Sequence, residues 1–419
     1  MVAQGDRPTL ADGSLHILVS TGEVSGDLQG GFLIEALHRQ AKVLGLTLKV
    51  AAVGGERMTQ AGAHLIGDTT GIGSVGLFEA IPYLIPTLQM QRRIRHQLQQ
   101  QPIDLVVFID YMNPNLSLGQ FLRKTYPALP TAYYIAPQQW VWAFSEKDTQ
   151  ALVSIADKMV AIFPQEATYY RKFGADIAYF GHPLVDRLTA PPTQIEARKS
   201  LGLWLDAPVV TLLPASRWQE VKHVLPIMLT VAQQIQKVLP DVQFLMPVSY
   251  GKLRSSIERA IAQAGINVRL IEGEAYPAIA AADLVLNKSG TVNLEVALIN
   301  VPQVVIYRLN PLTARIAYYL LKLRVEHVSP VNLIVEKTIV PEFIQWEATV
   351  AAITAESLKL LQDTGARAKV LAGYDELRQR MGQPGVCDRV AAELIAFAQQ
   401  SHTQPHAQQA SPVNLQDKV

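Results

Sequence analysis

Apolar and polar positions alternate along this chain in two rhythms. Short runs of β-branched and large apolar residues, "HILVS", "LKVAAVG", "DLVVFID", "TAYYIA" and "MVAIF", are each followed by a stretch in which apolar residues recur at helical spacing. The runs lack the one-in-two alternation of a half-solvated strand, so they predict strands covered on both faces, as in parallel sheets joined by crossover helices. A second series, "PVVTLLP", "VQFLMP", "VRLIEG", "DLVLN" and "PQVVIY", repeats the rhythm after "GHPLVDRLTAPPTQIEARKSLGL". The predicted class is α/β, two Rossmann-like doubly wound domains facing a cleft, with the Pro-rich "TAPPT" at 189–193 as the linker. The closing "SHTQPHAQQASPVNLQDKV" is polar and aperiodic, which predicts a disordered tail.

Composition narrows the function classes. The 419 residues exceed one ordinary core, in keeping with two domains. Apolar residues make up 49% and charged residues only 17%, which points to much buried surface or some exposed apolar surface. Lys plus Arg number 37 against 36 Asp plus Glu, so no global field draws the chain to nucleic acid or to an acidic membrane. The single Cys387 excludes an internal disulfide and a cysteine zinc cluster. The opening residues lack the pattern of a secretory signal, and no window is apolar enough to span a bilayer, so a cytoplasmic protein, or one resting on a membrane, is expected.

Doubly wound sheets bind ligands beyond the carboxyl ends of their strands, so the turns there carry the candidate chemistry. "TGEVSGD" offers Gly22 and Gly26 for tight or positive-φ backbone and close ligand approach, Glu23, and Ser25 or Asp27 as a cap for the following helix. A glycine turn with a cap accounts for most of these residues, but it has no need of Glu23. The three-glycine dinucleotide spacing is absent. Other strands end on Gly54 and Gly55 followed by Glu56 and Arg57 in "AAVGGERM", Asp110 in "FIDYMNPN", His182 in "YFGHPLVD", Ser216 and Arg217 in "LLPASRWQE", and Lys288, Ser289, Gly290 and Thr291 in "LNKSGTVNLE", with Glu295 a turn later. Any one of these alone reads as a hydrogen-bonding loop residue; six polar strand ends in one chain ask for more.

The halves differ in chemistry. "PASR" and "NKSGT" offer helix-start amides and a guanidinium that suit a diphosphate, and Glu295 could accept both hydroxyls of a ribose. The first half offers carboxylates, Glu23, Glu79 and Asp110, suited to proton removal. The asymmetry predicts a nucleotide-sugar donor on the second domain and an acceptor activated by the first. No paired-aspartate metal motif is present, so the arginine and the helix dipole would neutralise the leaving diphosphate.

In order along the chain, "GEVSGDLQGGFLIEAL", "VGGERMTQAG", "SVGLFEAIPYL", "DLVVFIDYMNPNLSL", "YYIAPQQWVWAF", "VAIFPQEATYYRKFGADIAYFGHPLVD", "LLPASRWQEVKHVLP", "SGTVNLEVALINVPQVVIYRLNPLT" and "SPVNLIVEKTIVPEFIQ" resemble the lipid-A-disaccharide synthase family over about residues 16–396. The resemblance implies the GT-B architecture and a division into a 1–15 extension, a 16–188 acceptor domain, a 194–365 UDP-sugar domain, 366–400 C-terminal helices packing back across the domains and a 401–419 tail. It implies that UDP-diacylglucosamine passes its sugar to the 6-hydroxyl of diacylglucosamine 1-phosphate, giving a β-1,6 disaccharide with inversion and without metal. It places Glu23 and Ser25 beside the substrates, Ser216, Arg217 and Glu220 in the phosphate-side loop, Ser289, Gly290 and Thr291 at a helix start, Glu295 near the ribose and Asn332 near the base. A homodimer and peripheral association with the inner membrane from the cytoplasmic side are further implications.

The chain departs from the family at three places. Asn113 stands where a second aspartate is usual, and an amide is no general base. Lys288 replaces a small residue, and "APQQWVW" a version richer in Ser and Pro. In "LFEAIPYLIPTLQMQRRIRHQL" an apolar stretch precedes Arg92, Arg93 and Arg95, which suits a segment dipping into a bilayer face as well as a helix packed on the sheet; "ARIAYYLLKLR" at 314–324 is equally two-sided. Two other readings share the donor half: another GT-B UDP-sugar transferase or epimerase with a different acceptor, and a non-catalytic lipid- or UDP-binding homologue.

Overall fold

A computed structural model describes residues 13–69, 84–142, 145–214, 218–248, 251–273, 275–308 and 326–403. The chain divides into two compact units, Met1–Pro183 with Gly385–Val419, and Leu184–Pro384.

The first unit is built on a seven-stranded sheet of β1 (Ser14–Ser20), β2 (Thr47–Gly54), β3 (His64–Asp68), β4 (Leu105–Ile109), β5 (Thr131–Tyr134), β6 (Lys158–Ala161) and β7 (Ile177–Tyr179), in the order 3-2-1-4-5-6-7. Every neighbouring pair is parallel. The second unit orders β8 (Val209–Leu213), β9 (Gln243–Val248), β10 (Val268–Glu272), β11 (Leu284–Lys288), β12 (Gln303–Tyr307) and β13 (Glu342–Ile344) as 10-9-8-11-12-13, again all parallel. The central strands β4 and β8 are buried at every position, as their unbroken apolar runs require. In each sheet the chain order reverses once, between β1 and β4 and between β8 and β11. These reversals open the crevices in which such folds take ligands.

The expected linker at 189–193 lies inside the second unit. Leu184 and Val185, in the short helix Leu184–Arg187, are buried, and that helix packs on the helix Val292–Leu298. Thr193 then opens the helix Gln194–Ser200 with a capping box: Thr193 Oγ1 accepts from the Glu196 amide at 3.3 Å, and Glu196 accepts from the Thr193 amide at 2.8 Å. The prolines therefore lead into a helix start.

Of the C-terminal helices, Thr364–Met381 stays with the second sheet, where the buried Tyr374 hydroxyl donates to the Val301 carbonyl at 3.1 Å. Only Val386–Thr403 returns to the first unit. It lies on the long helix Glu23–Val43 and is pinned by Arg39–Asp388 at 2.9 Å, Lys158–Glu393 at 2.9 Å and Arg389 donating to the Phe180 carbonyl at 3.0 Å. This helix runs through Thr403, past the expected start of the tail; residues 404–419, like 1–12 of the expected extension, lie outside the described residues.

Candidate active site

The first unit concentrates backbone strain at its switch point. Asp110 and Tyr111, just past β4, have φ of 45° and 51°, and Ile135, just past the neighbouring β5, has φ of 58°. Non-glycine residues pay to adopt this left-handed conformation, most of all a β-branched one, and keep it only where surrounding contacts impose it. Those contacts are present. The Asp110 carbonyl accepts from Tyr133 Oη at 2.7 Å and from Asn115 Nδ2 at 2.8 Å, while the Asp110 amide donates to the Ile135 carbonyl at 3.0 Å. Asn115 Oδ1 in turn accepts from Ser20 Oγ at 2.8 Å, tying the end of β1 to the end of β4. Burial, and then the Asp110 carboxylate, push the Tyr133 hydroxyl well above its ordinary pKa, so it remains a donor. The half-buried Asp110 is thereby fixed at the mouth of the sheet.

The "TGEVSGD" loop is shaped by neighbours within its own unit. Gly22 has φ of −128°, so it serves no left-handed turn; a Cβ there would fall 2.4 Å from a ring carbon of Tyr111. At Gly26 a Cβ would collide with Thr21 Oγ1 at 1.9 Å. The expectation that Ser25 or Asp27 caps the following helix is corrected: Gly22 occupies the N-cap, without a side-chain cap. The buried Asp27 instead accepts from the amides of Gly55, Arg57 and Met58 at 2.7, 3.1 and 3.2 Å, capping the next helix, Glu56–Gln60. A carboxylate at that helix start satisfies three amides at once, which a cap on its own helix would not. Ser25 is exposed, and Glu23 is the first residue of the helix Glu23–Val43.

Asn113 is exposed in the first turn of the helix Met112–Thr125. His182 is buried, 5.1 Å from the Phe163 ring, and burial pushes its imidazole down to about 3, so it is neutral. Glu166 Oε2 accepts from the amides of Ile162 and Phe163 at 2.9 and 3.3 Å, and burial raises that carboxyl to about 8. Glu79 lies outside the described residues. Sequence reasoning gave no role to Tyr111, Asn115, Tyr133 and Glu166. Asn115 and Tyr111 sat in the quoted "DYMNPN", and a glutamate three residues into "FPQE" was the signal for a carboxylate folded back on its own helix start.

In the second unit Ser216 and Arg217 lie outside the described residues, and Glu220 is in the first turn of the helix Trp218–Val238. At the end of β11, Lys288 sits with its ammonium 5.8 Å from the Tyr307 ring centroid. Ser289 is buried, its Oγ donating to the Val328 carbonyl at 2.6 Å and its amide to Ile306 at 3.2 Å. The Gly290 amide donates to Asn293 Oδ1 at 3.0 Å, so two of the three amides expected to face a ligand are spent inside the loop. Thr291 is exposed, and a Cβ at Gly290 would meet nothing within 4 Å. Behind the loop a buried chain runs from Asn287 Nδ2 to Gln303 Oε1 at 2.6 Å, and from Gln303 Nε2 to the Asn293 carbonyl at 2.9 Å and Tyr374 Oη at 3.1 Å.

Glu295 is held from two sides. Its Oε1 lies 3.4 Å from Arg187 Nη1 and accepts from Tyr276 Oη at 3.3 Å, and the Arg187 guanidinium stacks 4.8 Å from the Tyr276 ring centroid. Asn332 is fully buried. Its Oδ1 accepts from the amides of Ile339 and Val340 at 2.8 and 3.0 Å and its Nδ2 donates to the Val340 carbonyl at 2.9 Å and to Glu342, so it braces the segment from Ser329 to Glu342. Among the described residues no three His, Cys, Asp or Glu side chains gather as a metal site would need, and no helix is long and apolar enough to cross a membrane.

The family model for lipid-A-disaccharide synthetase matches residues 17–395. The chain is 48% identical over 383 residues to the lipid-A-disaccharide synthase of Gloeothece citriformis, covering 91% of this chain and 100% of that protein. It is 47% identical over 386 residues to that of Synechocystis sp., covering 92% and 98%. Among solved structures, UDP-GlcNAc 2-epimerase from Neisseria meningitidis bound to UDP-GlcNAc superposes with a TM-score of 0.60 at 13% identity, over 91% of this chain and 100% of that one. That likeness concerns the fold, which is GT-B: two Rossmann-like units, each with a parallel sheet of reversed order. With a family model matching almost end to end and relatives near half identical, the chain belongs to the lipid-A-disaccharide synthases, a family of glycosyltransferases.

Proposed function

We propose that the protein condenses UDP-2,3-diacylglucosamine with 2,3-diacylglucosamine 1-phosphate. The acceptor's 6-hydroxyl oxygen attacks the anomeric carbon of the donor, the bond from that carbon to the diphosphate breaks, UDP leaves, and the hydroxyl proton passes to Asp110. One in-line displacement of an α-linked donor inverts the centre and gives the β-1,6 disaccharide. The observation that carries the assignment is the over-determined Asp110 turn. Its backbone is held by Tyr133, Asn115 and Ile135, so the carboxylate is presented in one place at the switch point, as a general base requires.

On the donor side, Glu295, oriented by Arg187 and Tyr276, takes the ribose hydroxyls, Asn332 holds the loop beside the base, and Lys288, Thr291, Ser216 and Arg217 face the diphosphate. Ser289 and Gly290 shape that turn, and Glu220 belongs to the phosphate-side loop. Positive charge at the leaving diphosphate serves the purpose a metal serves elsewhere, so transfer is expected to persist in excess chelator. Ser25 and Asn113 are exposed and offer hydrogen bonds to the acceptor sugar. Glu23 and Glu79 are the alternative bases, and the buried His182 is a substrate-binding residue of the same unit. The enzyme works from the cytoplasm on the inner membrane face, where exposed Arg92 and Arg93 meet lipid phosphates, and as a homodimer.

Purified protein given both lipids, with products read by mass spectrometry, tests the assignment. The disaccharide 1-phosphate and UDP are expected. Tight UDP binding without transfer would instead mark a non-catalytic descendant, and full activity on a deacylated acceptor a different transferase.

A further inference from the structure

One crevice of the first unit has no part in the displacement just described. It opens at the carboxyl ends of β1, β2 and β4 as a narrow recess with a cavity volume of about 20 Å³, widening into open solvent. Its apolar walls are Val53 from β2, Met90 and Ile94 from the helix Leu84–Gln100, and Tyr111, Pro114 and Leu118 from the turn and helix after β4. None of its lining side chains is charged.

Three of the polar groups on its lining residues are engaged within the protein. Ser20 Oγ donates to Asn115 at 2.8 Å, Thr69 Oγ1 donates to the Thr21 carbonyl at 2.7 Å, and Gln91 Nε2 donates to Ser117 at 2.8 Å. A ligand here would meet mainly apolar surface, which favours hydrocarbon over a nucleotide or a sugar ring as occupant. Position selects which hydrocarbon. Tyr111 walls the crevice and directly follows Asp110, so whatever fills it lies beside the turn that presents the carboxylate.

We propose that this crevice receives the end of one acyl chain of the acceptor lipid and so sets a preference for chain length; the proposal rests on the transferase reading above. Met90 is the adjustable element. Its thioether lies against Gly67, where a Cβ would come 2.2 Å from Met90 Cε, and an unbranched methionine can change rotamer to lengthen or shorten the space. The crevice is short, so it holds the last methylenes of a chain rather than a whole one.

The test uses acceptor analogues carrying acetyl, butanoyl or decanoyl chains, with Met90→Trp to fill the crevice and Gln91→Trp to obstruct its half-buried rim. Two quantities are read: the ratio of kcat/KM for long against short chains, and calorimetric affinity for the same analogues without donor. In the parent each accommodated methylene should favour the longer chain by about fourfold. Both variants should collapse that ratio. A variant that merely damages the fold would lower long and short chains alike, and ratios preserved in both variants overturn the proposal, as does a parent indifferent to chain length. If no transfer occurs yet the chain-length dependence of binding is present and is lost in the variants, the crevice assignment stands and the transferase reading falls.

Discussion

The ring of Tyr111 lies against Gly22, close enough that a single methyl at residue 22 would come within 2.4 Å of a ring carbon. The left-handed conformation at residues 110 and 111 throws the ring across to β1, and the missing side chain at Gly22 makes room for it. Two loops that are far apart in sequence thus share one set of coordinates. Gly22→Ala should cost about 1–3 kcal/mol by overpacking and, through displacement of the Asp110 turn, up to roughly 10² in turnover. Thermal melts and steady-state kinetics together check this; an alanine variant with parental turnover would sever the link.

Asp110→Asn should reduce turnover by about 10² to 10⁴. Its fold should survive, because the bonds that hold the turn run through the Asp110 backbone, and UDP affinity should be unchanged. Tyr133→Phe removes one donor to that carbonyl while sparing the carboxylate, so it should cost about 1 kcal/mol of stability with a smaller loss of rate. Asn113→Asp, on an exposed helix position, should shift stability by less than about 0.5 kcal/mol. Parental turnover in Asp110→Asn beside an inactive Glu23→Gln or Glu79→Gln would move the base to another loop.

Arg187→Ala should weaken UDP binding about fivefold and should blunt the preference for UDP over 2′-deoxyuridine diphosphate, since the half-buried ion pair that orients Glu295 is worth on the order of 1 kcal/mol. Glu295→Gln should blunt the same preference more strongly. Equal affinity for the two nucleotides in the parent would show that Glu295 does not read the ribose at all.

Two buried groups predict the pH profile of stability. His182, lowered from 6.5 to about 3 by burial, is neutral when folded but takes up a proton when unfolded, so its contribution is present above 6.5 and is lost as pH falls toward 3. Glu166, raised from 4.5 to about 8 by burial, holds its proton when folded and releases it when unfolded, so its contribution is present below 4.5 and is lost as pH rises toward 8. Between 4.5 and 6.5 the two slopes oppose each other, each at most about 1.4 kcal/mol per pH unit. Melting temperature should therefore be flat there and decline on either side. Glu166→Gln should abolish the decline between 6.5 and 8.

Arg92→Gln with Arg93→Gln should weaken binding to anionic vesicles by about 1 kcal/mol per charge at low salt, and less at high salt. Met90 and Ile94 on the same helix are buried and Arg95, itself exposed, lies 4.2 Å over the Phe121 ring, so Arg92 and Arg93 carry the prediction. Unchanged vesicle binding at low salt would make the helix a packing element only. The apolar segment 314–324, the other candidate, lies outside the described residues.

The central strands were legible because burial on both faces leaves an apolar run, as in "LVVFI" and "VVTLL". Strands β3 and β13 were not: both lie at sheet edges, where "HLIGD" and "EFI" keep polar or half-exposed positions and no run forms. The same distinction holds for the candidate site. Asp110 could be read as the polar end of an apolar strand, but its left-handed backbone, and the roles of Asn115 and Tyr133 in fixing it, depend on bonds to carbonyls brought near by β-sheet pairing. Asp27 misled because its three partners are amides about thirty residues further on, and no local pattern encodes a cap given to another helix.

The last helix, Val386–Thr403, completes the unit that the first strand begins, and this orders events during synthesis. The helix Glu23–Val43 leaves the ribosome early, yet the surface that covers it emerges only after the entire second sheet. Until then the nascent first unit carries an unprotected apolar flank, and a chain cut short near residue 384 would keep it permanently. Such a truncation should yield protein that binds hydrophobic dyes and aggregates even though every strand of both sheets is present.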